Sequence, residues 1–385
     1  MKGLAITHVG VEEITALEIK ELINVTSEVL LSAVIFTAKK KEDICMLCYK
    51  AQSIKKVLYL FGSFHITDAF VQLKKIIEDI AYETWFDKGT TFRVTCEIID
   101  NNLLSEEVNK TTGEYILDAV KHKKGFTPKV SLDNPDIIFY VYVCGKSCYL
   151  GIDVSGKDLS KRDYKIFNSR ESIKGTIAYA LVRLGNYDEK ELILDPFCKS
   201  GEIVIEAALY ATGYPVNYYA KENFAFYKLK PFAGLDIQKI LQNIDNKIVK
   251  QNPQVYGYDS DQKYVMQAKK NAKIAGAQKY ITFSRQNLEW IDLKQEEKKV
   301  DKIISYPPHE SKNTSQKEIA KIYHELFYQA EYILNDTGLV VMLSKSLDLL
   351  KENAEKFKFF LKETKEIRMG EQKMLVGIFA KEKIG

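Results

Sequence analysis

The chain has 385 residues, of which 46% are hydrophobic and 28% are charged. At roughly 100–200 residues per domain, this length predicts two or three domains, and the composition is too apolar for a disordered chain. Lys and Arg outnumber Asp and Glu by only 56 to 52, so total charge alone does not indicate nucleic-acid binding. The longest apolar runs are strand-sized and the N-terminus shows no apolar leader, which predicts a cytoplasmic protein with no membrane segment.

Two cysteine pairs are the only pattern typical of a metal site. Cys45 and Cys48 fall on one face of a predicted helix, and Cys144 and Cys148 flank a predicted hairpin turn. A zinc site would need the pairs to converge with tight spacing, although about a hundred residues separate them. The sequence therefore predicts buried thiols and no metal site.

The first block of the chain, residues 1–60, alternates short strands with amphipathic helices. The apolar stripe of Ile14, Leu17 and Leu22 predicts the first helix. The order is strand, helix, strand, helix, strand, at 4–8, 12–23, 28–37, 42–53 and 56–61. This order is typical of a ferredoxin-like α+β domain.

The second block, residues 61–155, combines helices, a strand and a final hairpin. Its predicted elements are helices 68–82 and 105–121, strand 91–99, a lysine-bearing loop at 121–129, and the hairpin 137–154. The charged segment 156–169 follows and is the predicted linker.

The third block, residues 170–385, alternates strands and helices and ends in a predicted antiparallel hairpin. This alternation predicts an α/β domain with a doubly wound, mostly parallel, Rossmann-like sheet. Ligands of such sheets bind beyond the carboxyl ends of the strands.

Two strands of this block end on an aspartate. The apolar strand 192–194 leads into Asp195 and then, through the turn Pro196-Phe197-Cys198-Lys199-Ser200-Gly201, into a helix. A turn of this kind lets a ligand approach the backbone and a helix N-terminus closely. The strand 254–258 leads into Asp259, which is placed to accept hydrogen bonds from the hydroxyls of a ribose.

These motifs resemble the THUMP-domain RNA methyltransferase family, whose cofactor turn reads Asp-Pro-Phe-Cys-Gly-Ser-Gly. The resemblance extends over nearly the full length. Segment 8–12 is similar to the family's ferredoxin-like domain, segments 129–136 and 151–164 to its THUMP domain, and segment 170–184 to the helix that closes over the methionine end of S-adenosylmethionine. It implies a class I methyltransferase domain after the ferredoxin-like and THUMP domains, and S-adenosylmethionine-dependent methylation of tRNA, at N2 of a guanosine.

The resemblance also implies roles for individual residues. Asp195, Pro196, Cys198 and Gly201 would form the cofactor turn. Asp259 would hold the ribose, Asn287 would face the adenine amine, and Thr176 would lie near the methionine carboxylate.

The target-base motif of the family is Asn-Pro-Pro-Tyr or Asp-Pro-Pro-Tyr, and this chain has Tyr306, Pro307, Pro308 and His309 in those positions. A guanine amine is a poor nucleophile, so the enzyme must position its N–H groups by hydrogen bonds to a side-chain oxygen and a proline carbonyl. In this chain the carbonyl of Pro307 remains available and His309 is able to stack on a flipped base. Tyr306 brings a phenol in place of the family's amide or carboxylate.

The cofactor turn departs from the family as well, because Lys199 replaces its first glycine. A long side chain there either enters the cofactor pocket or, if φ stays negative, points to solvent. Two departures in the two reactive motifs leave an alternative open, namely a catalytically impaired RNA-binding scaffold or subunit. A protein partner that completes the site is compatible with either reading.

Basic and aromatic residues suggest where RNA binds. The predicted loop 121–129 and the linker segment 157–165 carry most of the lysines near the THUMP region, together with Phe126 and Tyr164. Contacts from these cations to phosphates are the predicted mode of tRNA binding.

Overall fold

The structure is a computed structural model. It describes residues 1–169, 171–249, 252–311 and 314–381. Residues 170 and 382–385, at the two ends of the predicted third block, lie outside the described residues. The chain forms two compact units and passes between them several times. The first unit comprises Met1–Thr7, Thr15–Leu159 and Ala220–Ile244, and the second comprises His8–Ile14, Ser160–Tyr219 and Asp245–Gly385.

Most predicted elements are present, with ends shifted by a few residues. The β-strands of the described residues are β1 (Lys2–Ile6), β2 (Ser27–Leu30), β3 (Ala33–Thr37), β4 (Lys56–His65), β5 (Thr91–Ile99), β6 (Lys129–Val130), β7 (Ile137–Cys144), β8 (Ser147–Asp153), β9 (Ile193–Asp195), β10 (Val255–Asp259), β11 (Ile281–Arg285), β12 (Val300–Ser305), β13 (Leu334–Ser344), β14 (Phe359–Met369) and β15 (Gln372–Lys381).

The α-helices of the same residues are α1 (Glu12–Ile23), α2 (Lys41–Lys50), α3 (Ala69–Asp79), α4 (Ser105–Lys124), α5 (Gly175–Leu184), α6 (Glu202–Thr212), α7 (Ile237–Asp245), α8 (Gln262–Ala275), α9 (Gln316–Ile333) and α10 (Asp348–Glu355). Helices α7 and α10 were not predicted. Both are short, although the apolar spacing of Ile237, Ile240, Leu241 and Ile244 is typical of a helix and could have indicated α7.

One sheet organises the first unit. Its strand order is β2-β3-β1-β4-β8-β7-β5-β6, and β5 is parallel to both β6 and β7 while the other pairs are antiparallel. Strands of the predicted blocks 1–60 and 61–155 therefore hydrogen-bond to each other across β4 and β8. The division into those two domains stays a prediction.

Two details of the first unit differ from the sequence prediction. The predicted strand 28–37 is a hairpin, β2 and β3, because the chain reverses near Ser32, which has a φ of +56°. Helix α4 continues to Lys124 and ends at Gly125, where φ is +72°. Lys121 and Lys124 therefore lie on the last turn of α4 and not in a loop. Cations at the C-terminal end of a helix interact favourably with the helix dipole.

A doubly wound sheet organises the second unit. Its strand order is β11-β10-β9-β12-β13-β15-β14, in which β9 to β13 are parallel and β15 runs antiparallel to both neighbours. This sheet confirms the predicted Rossmann-like α/β class. The reversal of order beside β9 places the ends of β9, β10 and β12 next to one another, where ligands of such sheets bind.

A buried ion pair fixes the start of the second unit to α6. Arg162 donates through Nε and Nη2 to the two carboxylate oxygens of Glu206, at 2.8 and 3.0 Å, and Tyr164 donates its hydroxyl to the same carboxylate at 2.7 Å. The side chains of Arg162 and Glu206 are 1% and 0% exposed. Gly175 is required beside them, because a Cβ there would lie 2.5 Å from the Glu206 carboxylate.

This cluster corrects part of the predicted RNA surface. Tyr164 is buried and hydrogen-bonded within the protein, and the ammonium of Lys165 contacts the carbonyl of Ile173 and the carboxylate of Glu202. Tyr164 is thus not available to contact RNA. The prediction was wrong because the sequence pattern indicates the charge of the segment but not which of its residues are buried.

The six cysteines are all free thiols, and five of them are buried. Within the described residues, no group of three or more His, Cys, Asp or Glu side chains is arranged to bind a metal ion. No helix in this described part of the chain combines the length and apolar character needed to cross a bilayer.

Candidate active site

The turn after β9 forms the floor of the site. The amide of Cys198 donates to the carbonyl of Tyr258 at 2.8 Å, which ties the turn to β10, and the amide of Gly201 donates to the carbonyl of Cys198 at 2.7 Å. Gly201 has a φ of +90°, and a Cβ there would lie 3.0 Å from Ala268 of α8. Only glycine meets both constraints, so Gly201 lets the chain turn into α6 in close contact with α8.

Asp195 joins the cofactor turn to the target-base loop. Its Oδ1 accepts from the amide of Phe197 at 3.1 Å and from the hydroxyl of Ser305 at 2.5 Å. Burial raises the pKa of Asp195 to about 7. Asp195 and Ser305 are 2% and 0% exposed and do not line the cavity, so they support the two loops from beneath.

A cavity of about 740 Å³ opens above these strand ends. It is lined by polar and apolar residues from the cofactor turn, the ends of β10 and β11, the Pro-Pro loop and α9, namely Ser169, Glu171, Phe197, Lys199, Asp259, Ser260, Asp261, Tyr264, Asn287, Leu288, Glu289, Pro308, Lys321, Ile322 and Glu325. Of the predicted site residues, Asp259, Asn287 and Pro308 thus face a common space.

Asp259 is the acidic residue best placed to bind a ribose. Its Oδ1 accepts from the amide of Asp261 at 2.9 Å and its Oδ2 from the amide of Lys199 at 3.0 Å. Burial raises its pKa, and the two amide donors and the nearby positive charge of Lys199 offset this only in part. Each carboxylate oxygen has a further lone pair, so two ribose hydroxyls would complete the set of donors.

Lys199 reaches into the cavity and not out to solvent. Its φ is +47°, and its ammonium lies 2.6 Å from Oε2 of Glu171 and 4.3 Å from the centroid of the Tyr306 ring. The side chain is 11% exposed. The two residues in which this chain departs from the family, Lys199 and Tyr306, are therefore in direct contact.

The target-base loop is held by aromatic and hydroxyl contacts. Tyr306 stacks on His309 with ring centroids 5.6 Å apart, and Tyr323 of α9 donates its hydroxyl to the carbonyl of Pro308 at 2.7 Å. Burial raises the pKa of Tyr306 to about 12 and lowers the pKa of His309. Near neutral pH, Tyr306 thus remains a phenol and His309 a neutral ring able to stack.

The remaining predicted residues are more remote from the cavity. Thr176 is fully buried, and its hydroxyl lies 2.9 Å from Nε2 of His8. Pro196, Cys198 and Pro307 are buried within their turns. For these side chains, contact with a ligand stays a prediction.

Sequence reasoning missed Glu171, which pairs with Lys199. Glu171 lies between the charged linker and α5, and no local motif distinguishes it from its neighbours. Tyr323 and Glu325 of α9 were also missed. Tyr323 donates its hydroxyl to the carbonyl of Pro308 and Glu325 lines the cavity, and both placements depend on how α9 packs in the folded chain.

Comparisons with known proteins identify the family. The model of the RMKL-like methyltransferase domain family (UPF0020) matches residues 162–374, which is more than half of the chain. The chain belongs to this family. A THUMP domain matches residues 68–153, N-terminal to the methyltransferase domain. These matches confirm the predicted family, the predicted enzyme class and the predicted RNA-binding module.

Individual relatives agree with this assignment. The tRNA (guanine(6)-N2)-methyltransferase of Methanocaldococcus jannaschii is 28% identical over 328 residues, which cover 84% of each chain. The ribosomal RNA large subunit methyltransferase K/L of Buchnera aphidicola is 29% identical over 278 residues, covering 70% of this chain and 39% of that one. The solved structure of SMU.472 complexed with SAH has a TM-score of 0.83 at 19% identity, covering 100% of this chain and 99% of that one, and shows the shared fold.

The residues present suit S-adenosylmethionine, the cofactor of this family. Phe197 and Lys199 of the turn after β9 line the cavity together with Asp259, and the carboxylate of Asp259 has acceptor capacity for the hydroxyls of a ribose. The chain is an S-adenosylmethionine-dependent methyltransferase. When bound, this cofactor supplies a methyl group on a positively charged sulfonium.

Proposed function

We propose that this enzyme methylates tRNA at N2 of a guanosine. The observation that carries the proposal is one cavity that joins the cofactor turn, through Lys199 and Asp259, to the Pro-Pro loop, through Pro308. The alignment over 84% of a relative named as a tRNA guanine-N2 methyltransferase supports the choice of substrate. The enzyme acts in the cytoplasm, consistent with a tRNA substrate.

The geometry supports the following residue roles. Asp259 binds the ribose hydroxyls and Asn287 faces the adenine edge, since both line the same cavity. The carbonyl of Pro307 accepts an N–H of the guanine amine and His309 stacks on the base. Pro308 is held by Tyr323, so the loop is positioned before the base arrives.

The ring of Tyr306 supports this loop through two contacts. One contact is the ammonium of Lys199 and the other is the ring of His309. Positioning of the guanine N–H groups is assigned to the proline carbonyl, which this chain retains.

RNA binds through the THUMP module. Lys121, Lys124 and Lys129 lie at or just beyond the C-terminal end of α4, and Lys161 is exposed in the linker. Phosphate contacts from such lysines give a salt-dependent affinity, with a slope that falls as lysines are removed. These residues bind the tRNA backbone and carry no sequence information.

Methyl transfer to defined transcripts tests the proposal. We expect purified enzyme with methyl-labelled cofactor to form N2-methylguanosine in an unmodified tRNA transcript, detected by mass spectrometry of the digested nucleosides. The name of the aligned relative makes position 6 the first to examine. A transcript with inosine at the modified position lacks the amine and should accept no label.

Two outcomes would contradict this function. Label on the inosine transcript, or on an adenosine, would place the reaction on another atom. Absence of transfer and of cofactor binding would favour the catalytically impaired scaffold, an alternative that the names of the aligned relatives do not favour.

A further inference from the structure

One buried asparagine connects two parts of the chain that line the cavity. Asn271 of α8 is fully buried, and its buried neighbours on this part of the helix are Ala268, Ala272 and Ala275. Asparagine is a weak helix former, and a buried carboxamide needs hydrogen-bond partners. The partners of Asn271, and not helix propensity, therefore explain its place on α8.

The carboxamide of Asn271 is hydrogen-bonded to backbone groups from two separate segments. Its Oδ1 accepts from the amide of Phe167 at 3.1 Å, and its Nδ2 donates to the carbonyl of Phe167 at 2.8 Å and to the carbonyl of Ser200 at 3.0 Å. These partners require one acceptor and two donors, a combination that an ionised aspartate or a hydroxyl side chain cannot supply. Asn271 thus joins the end of the linker to the cofactor turn.

The bond to Ser200 fixes one peptide group of the cofactor turn. The carbonyl of Ser200 is held by Asn271, and the amide of Gly201, which belongs to the same peptide group, donates to the carbonyl of Cys198 at 2.7 Å. This peptide group comes directly after Lys199, which lines the cavity. Because rotation would leave a buried backbone group without its partner, the turn keeps one conformation before a ligand arrives.

The bonds to Phe167 fix a second wall of the cavity. Residues 165–169 form neither helix nor strand, so side chains must hold them in place. The ammonium of Lys270 lies 4.9 Å from the ring centroid of Phe167, and the amide of Ser169 donates to the hydroxyl of Ser200 at 3.4 Å. Ser169 lines the cavity, whereas Asn271 is fully buried behind it. Asn271 therefore acts on the cavity only through the segments that it holds.

We propose that Asn271 is a positioning residue for cofactor binding, which holds segment 165–169 against the cofactor turn so that Ser169 and Lys199 line the cavity in a fixed arrangement. A ligand that enters a preorganised pocket does not have to order the walls itself, and that ordering would otherwise weaken its binding. The proposal goes beyond the function proposed above. It requires that the cavity binds S-adenosylmethionine, but not that the methyl group is transferred to a guanosine.

Calorimetry on the full chain with S-adenosylmethionine and S-adenosylhomocysteine tests this role. Asn271→Leu fills nearly the same space but makes none of the hydrogen bonds to Phe167 and Ser200. We expect its dissociation constants for both ligands to rise by about tenfold, because the ligand must then order both walls. Asn271→Ser retains a hydroxyl that donates one hydrogen bond, and should give a smaller rise for both ligands.

Asn353→Leu is the matched control. Asn353 of α10 is also a buried asparagine, 2% exposed, and its Nδ2 donates to the carbonyl of Leu349 at 2.8 Å. Its replacement should lower the melting temperature, because a buried hydrogen bond is lost, and should leave both dissociation constants unchanged. A purely structural role of Asn271 predicts this same pattern for Asn271→Leu.

Two further measurements separate positioning from general stability. In methyl transfer at saturating RNA, Asn271→Leu should raise KM for the cofactor about as much as the dissociation constant and leave kcat nearly unchanged. Hydrogen exchange should be slow over 165–169 in the free wild type and faster over 165–169 and 199–201 in Asn271→Leu. Binding of S-adenosylhomocysteine should slow it again, because the ligand restores both walls.

Three results would overturn this proposal: unchanged dissociation constants in Asn271→Leu, an equal rise in Asn353→Leu, or wild-type amides over 165–169 that exchange as fast as exposed ones. The last result needs no variant, so it applies even if Asn271→Leu does not fold. Methylation of an atom other than guanosine N2 would contradict the proposed function and leave this proposal intact. Binding of neither ligand to the wild type would overturn this proposal together with the cofactor site.

Discussion

Two of the cation–carboxylate pairs in the second unit differ sharply in their surroundings. Arg162 and Glu206 meet through two hydrogen bonds at side-chain exposures of 1% and 0%, and Tyr164 adds a third. Lys199 and Glu171 meet through one contact, at 11% and 35% exposure, inside the cavity. The first pair is part of the architecture, whereas the second is accessible to a ligand. Burial and geometry, more than the presence of opposite charges, decide which role a pair takes.

Removing one partner of the Arg162–Glu206 pair should have the largest effect on the stability of the protein. Glu206→Gln removes the carboxylate that pairs with the buried guanidinium of Arg162, so we expect a loss of about 3–5 kcal/mol in the free energy of unfolding, measured by urea denaturation. The corresponding variant of the cavity pair, Glu171→Gln, should cost no more than about 1 kcal/mol.

A double variant sharpens this prediction. Replacing both partners, Arg162→Met with Glu206→Leu, removes both buried charges and should recover most of the lost stability. A double variant as unstable as the single one would show that hydrogen bonding by Tyr164, and not charge burial, dominates the site.

The contribution of Asp195, which lies beneath the cavity, to the folding stability should depend on pH. Burial raises the folded-state pKa of Asp195 to about 7 from an ordinary value of 3.8, so the folded state keeps a proton that the unfolded state releases. This group therefore favours folding below about pH 4, and its contribution is lost as pH rises toward and through 7. Its change over that window is on the order of 3 kcal/mol.

The variant Asp195→Asn checks this dependence. It keeps an acceptor for Ser305 and has no titration, so its melting temperature should fall less than that of the wild type between pH 4 and 7. Asp188→Asn, in an exposed turn, is the matched control. Parallel curves for the wild type and Asp195→Asn would be inconsistent with a raised pKa.

The smallest expected effect concerns the stability that the contacts of Lys199 in the cavity contribute to the fold. Lys199 and Lys358 both have a positive φ, +47° and +59°, which costs a side-chain-bearing residue about 1–2 kcal/mol. Lys358 is exposed, so Lys358→Gly should gain about 1 kcal/mol of stability from relief of this strain.

Lys199→Gly should gain less, because it also loses the contacts with Glu171 and Tyr306. The difference between the two gains, measured by thermal melting, is the stability that those contacts supply. Equal gains would mean that the ammonium contacts contribute nothing to folding.

The sequence allowed prediction of those features that depend on local pattern. Apolar periodicity predicted α1 at its observed bounds, and strands ending on Asp195 and Asp259 predicted two adjacent sides of the site. Features that depend on packing were not predictable. The burial of Tyr164 requires Glu206, 42 residues away, and the partner of Lys199 lies 28 residues before it.

The backbone conformation at Lys199 is another feature that the sequence alone did not allow us to predict. A lysine gives no sign in the sequence that φ will be positive, and the two alternatives left open there differ in that angle. The amide of Lys199 donates to Asp259 in this conformation, so the turn keeps the shape that a glycine would give it.

The segment Ala220–Ile244 has a consequence for synthesis on the ribosome. It follows the first strand and helix of the methyltransferase sheet, yet Phe226, Phe232 and Leu241 belong to the hydrophobic core of the first unit. The N-terminal unit therefore cannot complete its core until residue 244 has left the exit tunnel. By then α5, β9 and α6 have already emerged. These elements of the second unit therefore lack the neighbouring strands β10 and β12 while the first unit completes its core.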